Sequence, residues 1–462
     1  MSRILISAAH KSSGKTTLTI GLCAALKQQG HAVQPFKKGP DYIDPMWLGR
    51  AAERPCHNLD FYTMARDEIV DTVAHYSSGA DITIVEGNKG LYDGLDLDGS
   101  NSNAALANLL QTPVILVLDA RGMTRGIAPL ILGYQAFDDD IRIAGVILNQ
   151  LGGSRHESKL RAVIEHYTDV QVVGAVYRSA DMSIEERHLG LMPSNEDDSA
   201  DRKIAQIRDR VSQQVDLEQV LRIGADAPTL AVDPARSWPE TPTERDLRIG
   251  IARNDAFGFY YPDDLQALEN AGAELIYIDT IRDQHLPQLD GLFIGGGFPE
   301  TRMHELEANG AMRAEIRTAI EQGLPTYAEC GGLMYLSRSL HWQGQSAQMV
   351  GVIPADTVMH ERPQGRGYIR LQETEHHPWA AYGPRPEGDI AGHEFHYSAL
   401  ENLDPGLSFA YRIGRGTGID GRNDGLIYRN LLACYAHLRD TSSHHWAQRF
   451  VQFVRACKTR HS

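Results

Sequence analysis

Cysteine is scarce in this chain. Cys23, Cys56, Cys330, Cys434 and Cys457 are five thiols in 462 residues, and no two share a paired spacing. An odd, sparse set argues against a disulfide scaffold and for a reducing compartment. Long apolar runs are missing too: stretches such as Pro113 to Leu118 are far too short to cross a bilayer. The opening Met1-Ser-Arg-Ile-Leu-Ile-Ser runs straight into a strand-like stretch without the apolar region of a signal peptide, so the expected location is the cytoplasm. Positive charge is in deficit, with 45 Lys+Arg against 60 Asp+Glu and a net charge of −15. Such a chain repels nucleic acid and anionic membrane, so neither is an expected partner, and only a local basic pocket for phosphates fits that balance. Nothing in the composition speaks against a homodimer.

The hydrophobic fraction of 42% and the charged fraction of 23% suit a globular protein with ample core. The length suggests two or three domains. Through the first half, apolar runs alternate with amphipathic segments. Strands are expected at Arg3–Ala8, Ala32–Phe36, Ile82–Glu86, Val114–Asp119, Ile143–Asn149 and Val172–Val176, with helices at Thr16–Gln29, Asn103–Gln111 and Thr124–Phe137. This is the α/β pattern of a mostly parallel sheet, which binds ligands at the carboxyl ends of its strands. The pattern fails from about Asn195 to Arg245, a charged, turn-rich stretch that reads as a partly helical linker. A second α/β unit starts at Leu247. The expected division is therefore 1–195, a linker over 196–246, a second domain over 247–445 and a tail over 446–462.

After the first strand comes Ala9-His-Lys-Ser-Ser-Gly-Lys-Thr-Thr17, a P-loop whose first glycine is Ala9. The backbone around Ser12, Ser13, Gly14, Lys15, Thr16 and Thr17 is expected to surround the phosphates of ATP. Lys15 neutralises their charge, and the Thr16 hydroxyl meets Mg²⁺. Glu86 ends an apolar strand where a second magnesium-binding acid is needed, and leads into Gly87-Asn-Lys-Gly-Leu-Tyr-Asp-Gly94. The segment Pro35-Phe-Lys-Lys-Gly-Pro-Asp-Tyr-Ile-Asp-Pro45 adds two cations, Lys37 and Lys38, and two acids, Asp41 and Asp44, either of which suits Mg²⁺. Lys37, Lys38, Tyr42, Asp44 and Asp93 are candidates for substrate or phosphate contact. For Asp93 a plain Asp-Gly turn competes with that role.

In the second half, Pro325-Thr-Tyr-Ala-Glu-Cys-Gly-Gly-Leu-Met-Tyr-Leu336 reads as strand, sharp turn and helix with Cys330 at the turn. A thiol at such an elbow is a nucleophile for the side-chain amide of glutamine, releasing ammonia through a thioester. Gly296 and Gly297, with the N–H of Gly331, are oxyanion candidates. The base is expected to be His437, with His393 or His396 as second choices. Cys434 is expected to pack in the strand leading to His437.

Taken together these residues resemble the cobyrinic acid a,c-diamide synthase family. The resemblance runs through Ser13-Gly-Lys-Thr-Thr, Gln34-Pro-Phe-Lys-Lys-Gly-Pro-Asp-Tyr-Ile-Asp, Ala144-Gly-Val-Ile-Leu-Asn, Glu186-Arg-His-Leu-Gly-Leu, Phe259-Tyr-Tyr-Pro-Asp, Gly295-Gly-Gly-Phe-Pro-Glu, Ala328-Glu-Cys-Gly-Gly-Leu-Met-Tyr-Leu and His393-Glu-Phe-His-Tyr-Ser. It implies a dethiobiotin-synthetase-like P-loop domain followed by a class I glutamine amidotransferase domain. The implied reaction uses Mg-ATP to phosphorylate acetate side chains of a tetrapyrrole polycarboxylate, then displaces phosphate with ammonia from L-glutamine. By the same resemblance Cys330 is the nucleophile and His437 its activator, and Asn149 contacts adenine. Thr16, Asp41 and Glu86 serve Mg²⁺, and Arg187 and His188 lie near substrate or phosphate.

Free ammonia is scarce and mostly protonated, so a route between the two sites is expected. Two departures matter. Arg439 stands two residues after His437, where ordinary class I glutaminases carry Glu; the family is similar in lacking that acid, which leaves a Cys–His pair. Asn88, Lys89 and Ser100-Asn-Ser-Asn103 suggest a branch of the family, and related branches resemble amidases of sirohydrochlorin, its nickel complex or sirohaem. The macrocycle therefore stays open at this point. A carboxylase of the dethiobiotin type gives no reason for the Cys330 elbow. A partition-type ATPase or scaffold with an inactive glutaminase remnant predicts loss of the nucleophile or of the glycine loop, and both are present.

Overall fold

The apolar runs of the first half form strands because helices can cover both faces of each. The computed structural model describes residues 1–187, 190–197, 199–231, 238, 242, 244–386 and 388–461. β1 (Arg3–Ala8), β2 (Val33–Lys38), β3 (His57–Leu59), β4 (Ile82–Glu86), β5 (Val114–Asp119), β6 (Ile143–Leu151) and β7 (Val172–Tyr177) make one sheet in the order β3-β2-β4-β1-β5-β6-β7. All its pairings are parallel. Every residue of β1, β2 and β4 is buried, as strands covered on both faces must be. The expectation that the second strand ends at Phe36 stops two residues short. Lys37 and Lys38 continue β2 into the protein, and Lys37 is tolerated there because carboxylates surround it.

The chain divides into two compact units between residues 236 and 237, with Tyr62–Met64 grouped with the second. The stretch read as a linker over 196–246 contributes two helices, Ala200–Gln214 and Leu217–Ala225, to the first unit. Their apolar stripes, Ile204, Ile207 and Val211 on one and Leu217, Val220 and Ile223 on the other, are buried. Helix Ala200–Gln214 lies so close to helix Lys15–Gln28 that a Cβ on Gly21 would fall 2.4 Å from a Val211 methyl. The polar composition that suggested a linker belongs to the solvent faces of these helices.

In the second unit the principal sheet has nine strands. Five are parallel, in the order Ala273–Ile278, Leu247–Ala252, Gly291–Ile294, Thr326–Glu329 and Leu431–Cys434. Four antiparallel strands follow, Asn423–Tyr428, Ser408–Arg415, Gly365–Glu373 and Ile390–His396. Residues 446–462, read as a tail, carry a helix from Trp446 to His461. It buries Trp446, Phe450, Val451 and Val454 in the core beside Phe293 and Tyr327. Among the described residues no helix is long and apolar enough to cross a membrane.

Candidate active site

The carboxyl ends of β1, β2 and β4 meet at the phosphate loop. Ser12 and Gly14 have positive φ, 61° and 85°, and helix Lys15–Gln28 begins directly after them. Gly14 is required twice over, because a Cβ there would also strike the Asn149 amide. That amide donates to the Ser13 carbonyl at 2.8 Å, tying the end of β6 to the loop. Beside them opens a cleft of about 260 Å³ whose walls include Ser12, Lys15, Thr16, Asn149, Tyr177 and Met182. Thr17 also lines it. Burial pulls the Lys15 ammonium below its ordinary pKa, and Glu86 opposes that shift.

Next to the loop is a tight cluster of charge. Lys37 Nζ sits 2.5 Å from Asp44 and 2.8 Å from Glu86, with Asp41 farther off at 3.9 Å. The Thr16 hydroxyl donates to Glu86 at 2.6 Å and lies 3.2 Å from Asp44. Burial alone would lower the Lys37 pKa, but Asp44 and Glu86 outweigh it and raise it well above the ordinary value. Burial pushes the Glu86 carboxyl up, and its second oxygen, Oε2, is buried without a hydrogen-bond partner. A buried carboxylate oxygen left over beside a hydroxyl and a second acid is a donor set that fits a hard divalent cation.

The other residues singled out in this region separate. Asp44, expected on the substrate side, belongs to the Lys37–Thr16–Glu86 cluster. Asp41 instead accepts the backbone N–H groups of Ile43 and Asp44 at 2.9 and 3.2 Å, and burial with the nearby Asp44 pushes it up to about 7. Lys38 donates to the Asn88 side chain at 3.3 Å, and burial lowers it to about 8. Tyr42 is buried at the start of helix Ile43–Ala52. The Asp93 carboxylate accepts the Gly90 N–H at 2.9 Å within its own loop. Arg187 lies in the two-residue strand Glu186–Arg187, paired with Gly190–Leu191. His188 falls outside the described residues.

Sequence reasoning missed Asn103 as a support. Its amide donates to Ser7 Oγ at 3.2 Å and to the Gly90 carbonyl at 2.8 Å, while its oxygen accepts the Asn88 N–H at 3.1 Å. Tyr134 was missed as well; its hydroxyl donates to the Ala9 carbonyl at 2.6 Å. Both act across long sequence separations, which local patterns do not reveal.

In the second unit, strands Thr326–Glu329 and Leu431–Cys434 run parallel side by side, so Cys330 and His437 leave the sheet at the same edge. Cys330 has φ 47° and ψ −99° and opens helix Gly331–Leu336. This is the strained strand-to-helix elbow expected of a nucleophile, and the thiol itself is buried. His437 is within hydrogen-bonding reach of the thiol. Burial pulls its ring down, but Cys330 and Glu329 outweigh burial and hold its pKa at about 10. His393, the second choice for the base, stacks on His437 with ring centroids 4.8 Å apart. Burial, with His437 and Arg439 nearby, drives its pKa well down and keeps it neutral. His396 instead stacks on Tyr435 at 3.8 Å. Cys434 is buried in its strand.

The glycine loop closes over the elbow. A Cβ on Gly296 would meet the His437 ring, and one on Gly331 would lie 2.9 Å from the Gly297 nitrogen. Tyr260 anchors this loop, accepting the Gly295 N–H at 2.9 Å and donating to the Ala252 carbonyl. Glu329, next to Cys330 in sequence, was also missed as a neighbour of His437. Its Oε2 lies 3.4 Å from His437 Nδ1, and both side chains are buried.

Residues 4–191 match the CobQ/CobB/MinD/ParA nucleotide binding domain, and residues 248–444 match the CobB/CobQ-like glutamine amidotransferase domain. The similarity to curated proteins runs end to end. A cobyrinate a,c-diamide synthase of Magnetococcus marinus is 44% identical over 98% of this chain and 97% of its own. Those of Methanosarcina acetivorans and Archaeoglobus fulgidus are 41% and 39% identical, each over 97% of this chain and over 95% and 97% of their own. A nucleotide-binding unit joined to a glutamine amidotransferase unit, similar over nearly the whole length to these proteins, places the chain in the cobyrinate a,c-diamide synthase family.

Proposed function

We propose that the chain converts the a and c acetate carboxylates of cobyrinate into carboxamides, with ATP activating each carboxylate and L-glutamine supplying the nitrogen. One observation carries the reading: a single chain holds both a P-loop and a cysteine elbow with its histidine, in a sequence similar end to end to synthases of that name.

At the first centre, the N–H groups of the Ser12–Thr17 loop and the Lys15 ammonium hold the phosphates of ATP. Lys38 and Lys37 stand at the carboxyl edge of the same sheet, where charge develops as the γ-phosphoryl group moves to a substrate carboxylate. The donor set of Thr16, Glu86 and Asp44, with Asp41 at its margin, suits Mg²⁺, which would supply charge neutralisation on the phosphates. A carboxylate resists attack by ammonia because it lacks a leaving group; as an acyl phosphate it has one. Ammonia then adds to the acyl carbon, and inorganic phosphate departs with one of the original carboxylate oxygens.

At the second centre the Cys330 thiolate adds to the side-chain carbonyl of glutamine. The resulting oxyanion is met by the glycine loop and the Gly331 N–H. His437 gives its proton to the amide nitrogen, which leaves as neutral ammonia, and water hydrolyses the thioester to glutamate.

Cobyrinate labelled with heavy oxygen in its carboxylates tests the reading. Mass spectrometry of the released phosphate should find one heavy oxygen for each amide formed. Amide formation with unlabelled phosphate excludes the acyl phosphate.

A further inference from the structure

The class I glutaminase position for a histidine-orienting acid is occupied here by Arg439, and that residue is committed elsewhere. Its guanidinium pairs with Asp263 at 2.7 Å and lies over the Tyr261 ring at 5.2 Å. The structure nevertheless brings a carboxylate to the histidine from a different direction. Glu329 ends strand Thr326–Glu329, opposite Cys434 in the neighbouring parallel strand. Three residues beyond Cys434 the chain reaches His437.

The two oxygens of Glu329 are divided between two tasks. Oε1 accepts the Tyr327 hydroxyl at 2.6 Å and the Leu438 N–H at 2.9 Å. These bonds fix the carboxylate against the segment that carries His437. Oε2 faces His437 Nδ1 at 3.4 Å, with 3% and 4% of the two side chains exposed. A carboxylate so deeply buried is costly unless a positive partner compensates it. Three other groups near His437 among the described residues are unsuited to that task. His393 is a neutral ring stacked on it, Arg439 is a cation, and Cys330 is the group His437 acts upon.

We propose that Glu329 is the positioning residue of the glutaminase centre: it holds His437 by Nδ1 in its protonated form and leaves the other ring nitrogen for Cys330. The nucleophile's own neighbour in sequence thus replaces the acid that ordinarily follows the histidine. This rests on the assignment of Cys330 and His437 above. The role is that of a carboxylate behind a catalytic imidazole, which fixes the tautomer and stabilises the imidazolium without taking the proton.

The sign of the pH effect follows from the charges. The Glu329 carboxylate favours the imidazolium, so removing its charge must lower the His437 pKa. Turnover needs the imidazolium to protonate the amide nitrogen so that it leaves as ammonia. The alkaline limb of kcat for glutamine hydrolysis should therefore move to lower pH when Glu329 loses its charge. His393 and Arg439 both oppose the imidazolium, and neither changes in the test.

The experiment uses the full chain. Glu329→Gln keeps an oxygen acceptor for Tyr327 and Leu438 while removing the charge. Its kcat for glutamine hydrolysis should fall by at least about a hundredfold and up to about ten-thousandfold, the loss seen when a carboxylate behind a catalytic imidazole becomes an amide, with little change in KM. Its alkaline limb should move down, and Glu329→Asp should recover part of the loss. A wild-type rate and pH profile in Glu329→Gln, beside an inactive Cys330→Ala control, overturns the proposal and leaves the Cys–His assignment standing. Glutaminase activity persisting in Cys330→Ala overturns that assignment instead. Nitrogen NMR of the histidine-labelled Cys330→Ala chain, which lacks the thiolate's own pull on the ring, with the His437 signal assigned by its loss on adding His437→Gln, keeps the question decidable if Glu329→Gln does not fold. Protonation of His437 persisting far above neutral pH supports the proposal; titration near the ordinary histidine value of about 6.5 overturns it.

Discussion

Cys330 is held at φ 47°, a conformation that costs a non-glycine residue about 1–3 kcal/mol and persists only where surrounding structure enforces it. Here the glycine loop, the two parallel strands and Glu329 provide that enforcement. Lys37 shows the same economy on the other side of the chain, a buried cation balanced by Asp44 and Glu86. On the proposed assignment, substitutions at the two centres have opposite signatures. Cys330→Ala should abolish amidation driven by glutamine and retain amidation driven by ammonium. Lys15→Ala should depress both by about a hundredfold or more, since the charge it supplies is needed whichever nitrogen source is used. Product assays with each nitrogen source check this, and loss of both activities in Cys330→Ala would point to a structural role for the thiol. Residues that belong to a local motif were legible at this scale: the P-loop, the cysteine elbow and the glycine loop. Glu329 and Asn103 were not, because their partners lie 108 and 96 residues away in His437 and Ser7. Asp44 and Asp41 could not be told apart by sequence. Only the turn into helix Ile43–Ala52 decides which carboxylate caps the backbone and which meets Thr16.

Elements were legible where burial is two-sided and periodicity is strong. Strands Arg3–Ala8, Ile82–Glu86 and Val114–Asp119 have the bounds their apolar runs suggested. The 200–225 stretch reads as partly helical, but its place in the first unit was not legible because its helices are charged outside and only a narrow apolar stripe faces inward. Likewise, the final helix carries its core residues at helical spacing among basic ones. The close crossing of helices Lys15–Gln28 and Ala200–Gln214 tests whether the second belongs to the first unit. Gly21→Val should crowd Val211 and destabilise the fold by about 1–3 kcal/mol. Adding Val211→Ala should restore part of that loss. Thermal unfolding of the single and double variants measures it; equal stability of Gly21→Val and wild type would contradict the crossing.

At the scale of the whole molecule, two compact units divide the chemistry between them. One carries the cleft beside the Ser12–Thr17 loop and the Lys37 cluster, the other the cysteine elbow and its buried histidine. Each reaction alone is wasteful: an acyl phosphate without ammonia hydrolyses, and glutamine without an acceptor is lost to glutamate. Their union in one chain makes sense for an enzyme that places amide nitrogen on a carboxylate. The most direct test supplies the purified chain with Mg-ATP, glutamine bearing heavy nitrogen in its amide and, in parallel, cobyrinate, sirohydrochlorin, its nickel complex and sirohaem, and reads the products by mass spectrometry. The account predicts heavy nitrogen in two carboxamides of cobyrinate. Glutamine and ATP consumed with no heavy nitrogen entering cobyrinate would contradict it.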